Sequence, residues 1–140
     1  MKQSNIRTVF FTVMTAFAAF VYVTPGVGAA NIKAYKNITL NQFLSLMDNK
    51  DFFLVNVHIP YQGEIPKTDI SIPYNAIEQY KKMLPDDKHT KIIVYCMGGY
   101  MGNIAAEKLV RMGYTRVFNF VGGMNAWMKI GKSLEKDKTY

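Results

Sequence analysis

Cys96 is the only cysteine in the chain, and it stands where an apolar run gives way to glycine: Ile92-Ile93-Val94-Tyr95-Cys96-Met97-Gly98-Gly99-Tyr100-Met101-Gly102. A thiol attacks as its thiolate, and a free one is only slightly ionised at neutral pH. Glycines allow a tight backbone curl, and the amides of Met97–Gly102, turned toward the sulfur, would form an anion cradle open to a ligand. A following helix start supplies about 0.3–1 kcal/mol, and each amide hydrogen bond to a charged sulfur about 1.5–3 kcal/mol. Main-chain dipoles are therefore sufficient to keep this sulfur ionised and accessible. Lys91 cannot help directly, being about 16 Å away along an extended run. The competing reading is a cysteine that packs as a small hydrophobe.

His58 follows a second apolar run, Phe52–Val57. If the two runs are neighbouring strands, its ring can place a switchable positive charge beside the sulfur; otherwise it is a loop histidine bonded to backbone. Cys96 with Met97 and Met101 also makes a soft donor set suited to Cu(I). The chain has nine methionines, so this spacing arises easily by chance, and no metal or other cofactor is expected. Tyr100 either meets a substrate or partner or packs over the loop.

Positioning these groups requires strands that end at the site. Thr39 caps a predicted helix over Leu40–Asp48, where Leu40, Phe43, Leu44 and Met47 share one face. Pro60, Pro66 and Pro73 make the segment after His58 a loop with a short extended piece at Ile70–Ile72. In that loop Tyr61, Glu64 and Asp69 are read as side chains that hold the backbone or line the site mouth. Asn75 is expected to cap a helix over Ala76–Leu84, and Ile92–Tyr95 is a strand. A helix running to Gly113, a strand over Arg116–Phe120 and a short helix over Met124–Ile130 containing Trp127 complete the pattern. Strands alternating with helices point to an α/β fold with a parallel sheet covered on both faces, and ligand sites in such sheets lie beyond the carboxyl ends of the strands. Cys96 falls at such an end. His89 lies in a polar turn and reads as surface.

The first thirty residues read as an address. Lys2 and Arg7 precede the apolar run Val9–Val23, and Val27-Gly28-Ala29 has cleavage-site spacing. Residues 1–30 are thus expected to be a cleaved signal peptide of an exported, periplasmic protein. The alternative is an uncleaved anchor holding the domain outside the cytoplasm, although about 15 apolar residues are short for a bilayer. Residues 31–131 form one domain and 132–140 a polar tail expected to fray. The formal charge of +7 falls to about +5 without Lys2 and Arg7, and its scatter argues against nucleic acid.

Three stretches in order resemble the rhodanese domain: FLVNVHIPYQGEIPKTDISIP, VYCMGGYMG and FVGGMNAWMKIG, together covering about residues 36–131. The resemblance implies a rhodanese-like α/β fold, a mostly parallel central sheet of about five short strands with helices on both faces. It implies a sulfurtransferase or sulfane-sulfur carrier in which Cys96 forms a persulfide and passes the sulfur to a thiol or cyanide acceptor. Met97, Gly98, Gly99, Tyr100, Met101, Gly102 and His58 would then contact the donor. The chain departs from the family at Met97 and Met101, where arginines are common, and at Asn56-Val57-His58 and Gly63-Glu64-Ile65-Pro66, in place of Asp-Val-Arg and Gly-His-Ile-Pro. These departures suit a donor less charged than thiosulfate, such as an organic persulfide, a polysulfide or a protein partner. Without a terminal loop arginine, phosphatase chemistry is not expected. A non-catalytic binding module using the same loop face is the rival.

Overall fold

The computed structural model describes residues 34–136. The expected signal peptide and the last residues of the tail, 137–140, lie outside the described residues. The elements run β1 (Lys36–Ile38), α1 (Leu40–Asp48), β2 (Phe53–Asn56), β3 (Ile70–Ser71), a 3-10 helix (Ile77–Met83), β4 (Ile92–Tyr95), α2 (Tyr100–Arg111), β5 (Val117–Phe120) and α3 (Gly123–Lys129). The strands form one sheet in the order β1-β5-β4-β2-β3, every pair parallel. The parallel five-stranded α/β sheet expected from the sequence is thus present.

Alternation along β4 sorts the core into two halves. Ile92, Val94 and Cys96 face one side with Val55, Val57, Ala105, Ala106 and Leu109. Ile93 and Tyr95 face the other with Leu54, Phe43, Phe120, Met124 and Trp127, and Met97 packs against this second side. Phe43 stacks on Phe120 at 4.3 Å between ring centroids and meets Trp127 edge-on; each such aromatic burial contributes about 1.5–3 kcal/mol. Among the described residues no helix is long and apolar enough to cross a membrane.

α1 begins and ends where the pattern predicts. Thr39 and Gln42 form a reciprocal cap, Gln42 N donating to Thr39 Oγ1 at 3.4 Å and Thr39 N to Gln42 Oε1 at 2.9 Å. The expected helix over Ala76–Leu84 is instead a 3-10 helix from Ile77, and Asn75 does not cap it. Asn75 carries its carbonyl to Lys108 Nζ at 3.0 Å, and its side chain is exposed. The tail differs too. Glu135 forms a bridge with Glu64 in both directions at 2.8 Å, and Trp127 Nε1 donates to Ser133 O at 2.9 Å, so residues 133–135 are held against the domain rather than frayed.

Candidate active site

Cys96 lies one residue beyond β4, and α2 begins at Tyr100. The loop is therefore Met97–Gly99, shorter than expected, and Tyr100, Met101 and Gly102 are the first turn of the helix. That turn has no intrahelical acceptor for its N–H groups, which supplies partial positive charge at the sulfur's end of α2. Gly99 N donates to Cys96 Sγ at 2.9 Å. Of the six amides expected to turn toward the sulfur, this is the one that reaches it.

The loop carbonyls are turned the other way. Cys96 O accepts from Met124 N at 2.9 Å, Met97 O from Asn125 N at 3.0 Å and Gly98 O from Gly122 N at 3.3 Å. The start of α3 thus holds the outer side of the loop. Two glycines make this possible. Gly99 has φ +120°, a conformation side chains rarely adopt, and it swings the amide back onto the sulfur. Gly123 touches the loop so closely that a Cβ would collide with Cys96 O.

Cys96 is 2% exposed, so the sequence expectation of an accessible sulfur is corrected. The alternation of β4 sends its side chain into the half-core that α2 covers, against which half-buried Met101 packs. Met97 points to the opposite face and borders a groove of about 440 Å³ with Gln62, Met128, Lys132 and Leu134. Cys96, Met97 and Met101 consequently do not converge on one ion. Among the described residues no group of three or more His, Cys, Asp or Glu side chains converges either. Tyr100 is 75% exposed and does not pack over the loop. Gly98 is exposed at the loop's outer surface.

His58 sits just past β2, next to Val57, whose amide donates to Tyr95 O at 2.8 Å. Its own amide donates to Asn56 Oδ1 at 3.0 Å, while ring Nδ1 is buried with no hydrogen-bond partner. The ring borders a pocket of about 120 Å³ with Ile59, Tyr61, Ser71, Ile72 and Pro73. Among the described residues no hydrogen bond joins His58 to Cys96, so the structure does not bring the histidine onto the sulfur.

The departures from the family pattern have local reasons. Asn56 is buried and donates from Nδ2 to Gly63 O at 3.1 Å while accepting from His58 N, a pairing a carboxylate cannot make. Glu64 is fully buried rather than at a mouth, its Oε2 accepting from Ser71 Oγ at 2.8 Å. Asp69 accepts from Leu54 N at 2.7 Å and from Lys50 Nζ at 2.6 Å, bracing β2.

Sequence reasoning missed a closed set of bonds under the proline-rich segment. Tyr95 Oη accepts from Ile65 N at 2.8 Å and lies 2.7 Å from Thr68 Oγ1, which donates to Ile65 O at 2.6 Å. Thr68 has one proton and gives it to Ile65 O, so Tyr95 is the donor in the pair. Burial pushes the Tyr95 phenol well above its ordinary range. It also missed Asn119 and Asn103, considered below.

A family model described as the rhodanese-like domain matches residues 33–130. The chain belongs to the rhodanese-like domain family. The domain is 33% identical over 89 residues to a sulfurtransferase of Allochromatium vinosum, covering 61% of this chain and 80% of that protein. It is 32% identical over 97 residues to the thiosulfate sulfurtransferase GlpE of Pseudoalteromonas translucida, covering 67% of this chain and 90% of GlpE. Among solved structures it resembles the human single-domain sulfurtransferase TSTD1, with a TM-score of 0.60 at 21% identity, covering 66% of this chain and 95% of that one. The rhodanese-like domain is therefore of a sulfurtransferase family, with its lone cysteine at the carboxyl end of the central strand.

Proposed function

We propose that this rhodanese-like domain carries sulfane sulfur as a persulfide on Cys96. The observation that carries the reading is the Gly99 amide 2.9 Å from Sγ, set in a loop whose carbonyls are drawn off onto α3. The Cys96 thiolate attacks the outer sulfur of a donor R–S–S⁻. A new S–S bond forms, the donor's S–S bond breaks, and the leaving group R–S⁻ departs with the electron pair. An acceptor thiolate then attacks the outer sulfur of Cys96–S–S⁻ and restores the thiolate, so no external oxidant or reductant is consumed. The Gly99 amide and the free first turn of α2 stabilise the anion in both forms. Met101 packs, half-buried, against the half-core that holds Cys96; it is unbranched and flexible, and its displacement is the route by which the donor enters.

Because Met101, on the half-core side that holds Cys96, stands where the family resemblance leads one to expect arginine, the donor is an organic persulfide or polysulfide rather than a dianion. The test is a steady-state sulfur-transfer assay with thiosulfate and glutathione persulfide as alternative donors and a thiol acceptor. Turnover with the persulfide that vanishes in Cys96→Ser supports the reading. Equal turnover in Cys96→Ser refutes it and leaves a docking module. Residues 1–30 complete the proposal as an export signal that places the domain in the periplasm, which fractionation of a tagged full-length chain would check.

A further inference from the structure

Asn119 is fully buried in the middle of β5, where an apolar side chain would ordinarily pack. Its amide nitrogen reaches three acceptors: Asn103 Oδ1 at 2.9 Å, Asn37 Oδ1 at 3.2 Å and Gly99 O at 3.4 Å. Its own Oδ1 is buried with no hydrogen-bond partner and lies so close to Gly102 that a Cβ there would collide with it. Tyr35 Oη also donates to Asn103 Oδ1, at 3.1 Å. A buried acceptor left unmade is unfavourable, and such exceptions call for an explanation.

The contacts supply one. Gly99 is the residue whose N–H meets the sulfur, and its carbonyl is held from two directions, by Asn103 N at 3.0 Å and by Asn119 Nδ2. With the carbonyl fixed, φ at +120° and ψ at −22°, the direction of the N–H is fixed as well. Gly102, bare of a side chain, lets the first turn of α2 settle onto β5 so that these bonds form. We infer that Asn119, acting through Gly99 and Asn103, is a positioning residue that aims the Gly99 amide at Cys96 Sγ and thereby sets how readily that sulfur reacts as an anion. The inference rests on the reading of Cys96 as a nucleophile.

The experiment follows alkylation of Cys96 by iodoacetamide from mildly acidic to alkaline pH in the parent, Asn119→Ala and Asn103→Ala. Loss of one charge-assisted amide bond corresponds to about a tenfold slower reaction at neutral pH, with an unchanged alkaline plateau, in Asn119→Ala. A smaller displacement in the same direction is expected in Asn103→Ala, which lies half-buried on α2 and still reports should Asn119→Ala not fold. The Gly99 amide proton resonance moves with the same ranking. Profiles that superimpose on the parent, whatever happens to the melting temperature, overturn the inference and leave Asn119 a scaffold residue. Persulfide loading of the parent is measured alongside. A parent that alkylates normally but accepts no sulfur sinks the persulfide reading, while the alkylation profiles still judge Asn119.

Discussion

Replacing Gly123 by alanine tests how the loop is held. The new Cβ would collide with Cys96 O and come within 3.1 Å of Met97 O, so α3 must withdraw from the loop. Withdrawal breaks two bonds, Met124 N to Cys96 O and Asn125 N to Met97 O, at about 0.5–1.5 kcal/mol each. Alanine at the native φ of +47° costs a further 1 kcal/mol or so. Together these come to about 3 kcal/mol, and in a domain of this size roughly 4 °C of melting temperature accompany each kcal/mol. Gly123→Ala is therefore expected to melt about 12 °C below the parent. Amide hydrogen exchange should accelerate at Met124 and Asn125 while Ile92, which faces the other half of the core and donates its amide to Arg116 O, keeps its protection. A variant that melts within about 2 °C of the parent and retains protection at both amides would refute the reasoning, because it would mean the loop does not depend on α3.

Other outcomes follow from the same structure. Tyr95→Phe removes the acceptor of Ile65 N and is expected to destabilise by about 1–3 kcal/mol in urea unfolding. The native Tyr95 phenol is raised, so between its unfolded value near 10 and its folded one the native state holds a proton the unfolded chain has lost. Parent stability should fall as pH rises above about 10, with a shallower fall in Tyr95→Phe; parallel slopes would contradict the burial of that hydroxyl. Asn56→Asp removes the donor to Gly63 O and should cost about 1–3 kcal/mol, and an unchanged melting curve would show that Gly63 is held by other means. Met101→Arg puts a cation on the half-core side that holds Cys96 and is expected to raise thiosulfate turnover relative to glutathione persulfide; no change in that ratio would mean missing loop charge does not set donor choice.

Long periodic or uniformly apolar segments were legible in the sequence, and short polar ones were not. β4 and α1 follow their predicted limits because four buried apolar residues and a capped helical face leave no other economical structure. β1 was missed: it has three residues, two of them exposed, and sits at the sheet edge, where pairing with β5 rather than side-chain pattern defines it. The 3-10 helix was misjudged because its anchor is Ile77 packing into the core, not an Asn75 cap. In the site, Cys96 was placed by the end of its strand, but Gly102 was read as loop. It is glycine because Asn119 lies against it, a contact between residues far apart in sequence that no local pattern records. Burial of the sulfur was missed for a similar reason, since it depends on which sheet face α2 covers.

The central claim is that Cys96 carries sulfur, and intact-protein mass spectrometry addresses it most directly. After exposure to glutathione persulfide and removal of excess donor, the parent is predicted to gain the mass of one sulfur atom, mapped to the peptide holding Cys96 and discharged by an added thiol, with no gain in Cys96→Ser. A parent that stays at its starting mass under those conditions, while its cysteine remains free to alkylate, would contradict the account.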